Sequence, residues 1–255
     1  PPKNIFTKTL YYLAQIACNY FVYITENEKK RLHEIIGKPN VIENIIYNPV
    51  KLKQQNSLSF LKNEKRFKIG ILSNFSYNRG VDRALEIFEK IPLNKRKKFV
   101  IILGGDMTLE NNIPSIPKKF FKEKLNFADY VKSKGYSKNF IFLGSLEKPE
   151  ELLVSIDILL KPTRLNNPWG RDILEALSAG KPVISVGTYD KFVESNLTGL
   201  LQKKYNPEEI VSWLLKLEKN RNNLKKFSFE CQNRVKKHCL PKTVSKKLLK
   251  IWLKK

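Results

Sequence analysis

The chain has 255 residues, 42% of them hydrophobic and 28% charged, a composition that excludes a disordered or fibrous protein and leaves one large domain, or one domain with part of another. Forty-eight Lys and Arg face 24 Asp and Glu, for a formal charge of +24. Such a field attracts polyanions, whether nucleic acid, anionic lipid or phosphorylated small molecules, and does not choose among them.

The chain opens at Pro1-Pro2 with no Met, which reads as a piece of a longer protein. Phe6–Ala17 is a predicted helix, Tyr20–Thr25 a strand, Glu26–Ile36 a helix and Val41–Tyr47 a strand; Asn48-Pro49 then breaks the pattern, and the polar residues 51–66 read as a linker. Two strands do not make a stable sheet alone, so residues 1–50 need a partner. From Lys68 short apolar runs alternate with longer amphipathic segments. Lys68–Ser73, Phe99–Leu103, Phe140–Leu143, Ile156–Leu160 and Pro182–Val186 are nearly continuous in Ile, Leu, Val and Phe, as strands buried on both faces of a parallel sheet are. Gly80–Ile91, Pro117–Lys134, Pro149–Ser155 and Pro168–Ala179 between them carry helical spacing. The alternation predicts an open α/β sheet with helices on both faces and a ligand at the carboxyl ends of its strands. After Val186 the pattern reads as helical, with helices at Pro207–Leu217, Asn222–Lys237 and Pro241–Leu253.

The informative stretch is Lys161-Pro-Thr-Arg-Leu-Asn-Asn-Pro-Trp-Gly-Arg-Asp-Ile-Leu-Glu175 through Gly180-Lys-Pro182. Asn167 suits a helix cap, Pro168 the first helical position and Asp172 the positive end of the dipole, while Gly180 stops the helix. A helix opening at the top of a parallel sheet is an anion site. Arg164 and Arg171 flank it, and Glu175 shares a helix face with Arg171, where its carboxylate suits a ribose diol.

These residues resemble the large retaining glycosyltransferase group with the two-domain GT-B architecture, whose signature is Glu, seven residues, Glu-Ala and a Gly-x-Pro-Val-Ile turn. Glu175-Ala176, Gly170 and Gly180-Lys-Pro-Val-Ile184 match it; Asn167 stands where the first glutamate would. The resemblance implies a Rossmann-like donor domain over residues 67–240, with 1–50 a remnant of the N-terminal, acceptor-side Rossmann domain and 241–255 a C-terminal basic amphipathic helix. It implies that Glu175 holds the nucleotide ribose, that Asn167 orients the donor sugar, and that Arg79, in the Tyr77-Asn-Arg79-Gly80 turn, meets the diphosphate. Ser73 and Asn74 replace the family's second basic residue. Gly104 and the Gly144-Ser145-Leu146 turn match loops near the base, and Gly80, Trp169 and Gly170 complete the implied donor contacts. The segment from Gly187 to Leu200 matches an acidic turn and a Thr-Gly-Leu step.

Read without the resemblance, Asn167 is a helix cap, a sugar ligand or both, Arg79 is as readily surface charge, and Trp169 packs the loop rather than stacking on a ligand. His33 and His238 read as surface residues. Lysines around Leu249, Trp252 and Leu253 suit an anionic membrane surface or packing within the protein. Three cysteines and two histidines fit neither a disulfide framework nor a zinc site, and no two of the six aspartates lie within two residues of each other. A metal-free protein without a bound cofactor is expected, in the cytoplasm or at the inner face of the plasma membrane, since no apolar run reaches a span length. The implied function is sugar transfer, with retention, from a nucleotide diphosphate sugar to a glycan or lipid-linked acceptor. The alternative is a non-catalytic nucleotide- or polyanion-binding module. A specific nucleic-acid partner and an NAD enzyme are not expected, for want of a reading motif or a Gly-x-Gly-x-x-Gly.

Overall fold

The computed structural model describes residues 5–52, 56–110, 113–166 and 168–253. The chain divides into two compact units, residues 52–235 and residues 1–51 with 236–255.

The larger unit is built on six parallel strands, β3 (Phe67–Leu72), β4 (Phe99–Gly104), β5 (Phe140–Phe142), β6 (Ile158–Lys161), β7 (Val183–Val186) and β8 (Gly199–Gln202). They lie in the order β5-β4-β3-β6-β7-β8, the 3-2-1-4-5-6 order of a doubly wound Rossmann sheet. β8 is a strand where the sequence reading continued with helices. Its Gly-Leu-Leu-Gln is short and flanked by polar residues, and its pairing with β7 decides the conformation. In β4 all six residues are buried. Phe99, Ile101 and Leu103 enter one core with α3 (Arg83–Lys90), α6 (Phe127–Ser133) and α9 (Pro207–Lys219). Val100 and Ile102, on the other face by strand alternation, are just as buried. α7 (Pro149–Ser155) and α8 (Arg171–Ser178) cover strands β3, β6 and β7; Gly70 of β3 lies so close to Ile156 that a Cβ there would sit 2.4 Å from its Cδ1.

The single helix expected over Pro117–Lys134 is two, α5 (Lys118–Lys122) and α6. Asn126 and Asp129 form a reciprocal capping box that starts the second. A short helix, α4 (Leu93–Arg96), lies where the reading had none. Within the expected linker, Ser59–Leu61 turn as a 3-10 helix that buries Leu61, and the Leu58 N–H donates to Ser155 Oγ at 2.8 Å.

In the smaller unit β1 (Tyr20–Tyr23) and β2 (Ile42–Ile45) pair in parallel around α2 (Glu26–Ile36), which Thr25 caps through Glu28 N. α1 (Ile5–Ala17) precedes them, and α10 (Asn223–His238) carries the unit boundary. α11 (Pro241–Trp252) packs Val244 and Ile251 on Ile46, with Leu248 and Tyr20 alongside, while Leu249, Trp252 and Leu253 stay exposed. Residues 236–253 thus belong with 1–51 rather than standing alone. His33, expected at the surface, instead bonds the nearly buried Glu43 together with Lys29 and Tyr23. Among the described residues no helix is long and apolar enough to cross a membrane.

Candidate functional site

Strand order reverses between β3 and β6, and open α/β sheets bind ligands at that switch point, outside the carboxyl ends of the strands. A cavity of about 440 Å³ opens there, lined by Leu72 and Ser73 at the end of β3, by Lys161 and Thr163 at the end of β6, and by Gly170 and Asp172 where α8 begins.

The turn after β3 is fastened to the loop after β6. Gly80 has φ +72°, and a Cβ would meet the Pro162 carbonyl oxygen at 2.1 Å, so only glycine lets the two segments touch. Arg164 N and Thr163 Oγ1 both donate to the Asn78 carbonyl, at 2.9 and 3.1 Å. The Arg164 guanidinium forks onto Asp82, 2.7 Å to each carboxylate oxygen, donates to the Tyr77 carbonyl and lies 4.0 Å over the Tyr77 ring. Burial pulls the Arg164 pKa down, but Asp82 outweighs it and the pKa lies above its ordinary value. Asp82 is 3% exposed and also accepts from Ser115 Oγ. Arg83 donates to the Pro162 and Thr163 carbonyls and lies 3.8 Å over the Tyr205 ring; burial and then the charge of Arg164 lower its pKa. The clamp presents Arg79, exposed, with Nη1 donating to Ser73 Oγ at 3.2 Å.

α8 starts at Arg171 with Gly170 as its N-cap, three residues later than the cap-and-proline pattern predicted. Lys161 is the reason. Its ammonium donates to the Trp169 carbonyl at 2.9 Å and to Asp172 Oδ1 at 2.7 Å, so residue 169 bonds a side chain and not a helical turn. Trp169 is 9% exposed and packs its ring on Phe192 at 4.9 Å. Arg171 is 80% exposed and donates to Glu175 Oε1 at 2.6 Å. Glu175, 20% exposed, stands one turn deeper in α8, and it is absent from the residues lining the cavity.

A second cavity, about 290 Å³, shares Ser73 and Arg79 with the first and is walled by Asn74, Gly104, Ser145 and Leu146. Asn74 Oδ1 accepts the Asp106 N–H at 3.0 Å, and Gly105 N donates to the Gly144 carbonyl at 2.7 Å. The loops after β3, β4 and β5 are thereby tied side by side. The arrangement offers an exposed guanidinium, Arg79, that lines both cavities, a helix N-terminus beside it with the exposed Arg171, and a carboxylate, Glu175, on that helix. Among the described residues no group of three or more His, Cys, Asp or Glu is placed to hold a metal ion.

The family model for Glycosyl transferases group 1 matches residues 53–234. The chain belongs to this family. A curated relative, glycogen synthase of Mycoplasma mobile, is 27% identical over 181 residues, covering 67% of this chain and 34% of the relative. An uncharacterised 42.6 kDa protein from the cps region of Klebsiella pneumoniae is 28% identical over 140 residues, covering 55% of this chain and 31% of its own. The chain spans about a third of the length of these curated relatives. Among solved structures, Anabaena HepE, in complex with UDP and glucose, superposes with a TM-score of 0.76 at 17% identity, covering 98% of this chain and 68% of that one. The fold is therefore the α/β parallel-sheet fold of GT-B glycosyltransferases.

Within that fold the residues singled out from the sequence divide into three sets. Ser73, Arg79, Trp169, Gly170, Arg171 and Asp172 line the switch-point cavity; Asn74, Gly104 and Leu146 line its neighbour. Gly80, Gly144, Arg164 and Glu175 line neither: Gly80 and Gly144 shape the loops, and Arg164 is committed to Asp82 instead of an open anion site. Asn167 lies outside the described residues. Two residues went unread, Asp82 and Lys161. Asp82 showed no signal, because its partner is 82 positions away. Lys161 had one, a charge ending an otherwise apolar strand.

Proposed function

We propose that the switch-point cavity is the donor site of a glycosyltransferase that moves a sugar from a nucleoside diphosphate sugar to a glycan or lipid-linked acceptor, with retention at the anomeric carbon. The observation that carries this reading is the placement of Arg79: an exposed guanidinium at the carboxyl edge of a Rossmann-order sheet that lines both cavities beside the N-terminus of α8, while Arg171 in the first cavity is paired with Glu175. The diphosphate lies between Arg79 and that helix end, where charge-assisted bonds and amide dipoles stabilise the charge that grows as it departs. Glu175 accepts the ribose hydroxyls through its carboxylate, which Arg171 Nε holds through a 2.6 Å hydrogen bond. Retention follows from attack on the same face as departure. The bond from the anomeric carbon to the diphosphate oxygen breaks, the bond to the acceptor oxygen forms, and the acceptor's proton passes to the leaving diphosphate. Binding of UDP-containing ligands by the structural neighbour HepE supports a nucleotide at this edge.

The cytoplasmic side of a membrane is the proposed place of action. Three free cysteines and exposed Leu249, Trp252 and Leu253 among the lysines of α11 support it. The test is calorimetric titration of UDP, GDP, ADP, CDP and dTDP into the 255-residue chain, Arg79→Ala and Glu175→Ala. One diphosphate is expected to bind saturably, and each substitution to weaken it by about 1.5–3 kcal/mol, the contribution of a hydrogen bond to a charged group. Equal affinity in all three proteins contradicts the proposed site.

A further inference from the structure

Lys161 and Asp172 come from different elements, the last residue of β6 and the first turn of α8, and meet at 2.7 Å on the wall of the cavity that Arg79 also lines. Each side chain is 19% exposed. An ammonium has three N–H donors and an ionised carboxylate two acceptor oxygens. Among the described residues, Asp172 Oδ1 and the Trp169 carbonyl take two of the donors, and Lys161 takes one of the oxygens. One N–H of the ammonium and Asp172 Oδ2 are left on a pair whose residues both line the cavity. The backbone makes room for the pair: a Cβ on Gly170 would lie 2.3 Å from Asp172 Oδ1 and 2.5 Å from Lys161 Nζ. Much of the remaining wall is apolar, from Ile71, Leu72, Val81, Leu160 and Leu165.

The pair carries no net charge, unlike Arg79. A phosphate gains little from an ammonium already neutralised and is repelled by the adjoining carboxylate. A neutral polyol gains from both, since neighbouring hydroxyls each donate and accept and a carboxylate beside an ammonium answers both needs. We infer that Lys161 and Asp172 read the hydroxyl groups of the donor's sugar and set which sugar the site accepts. The inference rests on the donor-site reading above and divides the cavity: Arg79 takes the diphosphate, and the Lys161–Asp172 pair takes the hexose.

The test measures binding of UDP, GDP, UDP-glucose, UDP-galactose and GDP-mannose to the unaltered chain and to Lys161→Gln, Asp172→Asn and Glu175→Ala. The inference expects Lys161→Gln and Asp172→Asn to hold the free diphosphate within about twofold of the unaltered chain and to lose about tenfold for the preferred sugar nucleotide, the size of one hydrogen bond. It expects Glu175→Ala to weaken both ligands alike. Thermal unfolding accompanies each variant; if Lys161→Gln melts below the assay temperature, the near-isosteric Asp172→Asn carries the test. Equal losses for diphosphate and sugar nucleotide, or no loss for either, overturn the inference and leave the donor site standing. So does an unaltered chain that binds the diphosphate and gains nothing from the sugar. An unaltered chain that binds none of these five ligands, nor ADP, CDP or dTDP, overturns the donor site and the inference together.

Discussion

Along β4 every residue from Phe99 to Gly104 is buried, whereas along β1 Tyr20 and Phe21 are half-buried and Val22 is 45% exposed. Both strands sit in parallel sheets, yet they are held by different forces. The six-stranded unit closes both faces of its sheet with helices, and its interior is almost wholly aliphatic and aromatic. In the two-stranded unit the described residues include a small apolar cluster built on Ile46, Val244 and Ile251, 5–9% exposed, and beside it a polar knot. Glu43, 6% exposed in its side chain, accepts from Tyr23, Lys29 and His33. Burial pushes the Glu43 carboxyl up, but those three hydrogen-bond donors outweigh it and hold the group at about 2; the Tyr23 hydroxyl is raised by burial and by Glu43. Where a sheet is too small to bury its own faces, a satisfied ionic cluster supplies specificity that packing cannot.

The largest effect is expected from Asp82→Ala. This is the larger unit's own buried ion pair, and removing the carboxylate leaves the Arg164 guanidinium without its partner in a mostly buried place. A loss of about 3 kcal/mol is expected by chemical denaturation, together with weaker binding of UDP, because the turn that presents Arg79 loses its clamp. Unchanged stability would show that the stitching between 76–80 and 162–164 rests on backbone bonds alone.

Glu43→Gln comes next, with an expected cost of about 2 kcal/mol. Faster amide exchange is expected in residues 20–45 and unaltered exchange in β3 to β7. The same group sets a pH dependence. Its folded pKa of about 2 lies below the ordinary 4.5, so the unfolded chain binds the proton first. The stabilisation is complete above about pH 4.5 and drains away as the pH falls towards 2. Glu64, also held at about 2, by the Arg66 guanidinium against burial, places a matching acid-sensitive group in the larger unit. In Glu43→Gln the acid-induced fall in melting temperature over this range should shrink; an undiminished fall would assign it to other carboxylates.

The smallest effect is expected at α1. Phe6 is 68% and Ile16 71% exposed, and Phe6→Gln should change the unfolding free energy by less than about 0.5 kcal/mol. A larger loss in thermal or urea unfolding would mean that this face is covered when the chain is in solution.

How much of this was legible depended on whether the deciding interaction was local. The buried strands β3 to β7 announced themselves as nearly continuous apolar runs. Glu26–Ile36 and Pro149–Ser155 matched to the residue because Thr25 and Pro149 mark their starts. β8 was hidden, since a four-residue segment becomes a strand only through its neighbour. The Asn126-x-x-Asp129 box was present in the sequence but lay inside a continuous helical period. In the site, Arg79 stood where the turn after the first strand put it. The place of Arg164 in the loop after β6 was readable, and its attachment to Asp82 was not. The late start of α8 has the same origin: Asn167 and Pro168 spelled a helix cap, and the ammonium of Lys161, arriving from β6, took the Trp169 carbonyl instead.

The proposed donor site places one nucleoside diphosphate across the carboxyl ends of β3, β4 and β6 and the start of α8. Hydrogen exchange of the chain with and without saturating UDP, GDP and ADP tests it most directly. One of the three is expected to slow exchange in residues 73–80, 104–106, 144–146 and 170–175, with β1, β2 and α11 unaffected. Protection confined to the lysine-bearing helices α10 and α11, or spread evenly over the chain, would mean that the ligand responds to the general positive charge, and would contradict the proposed site.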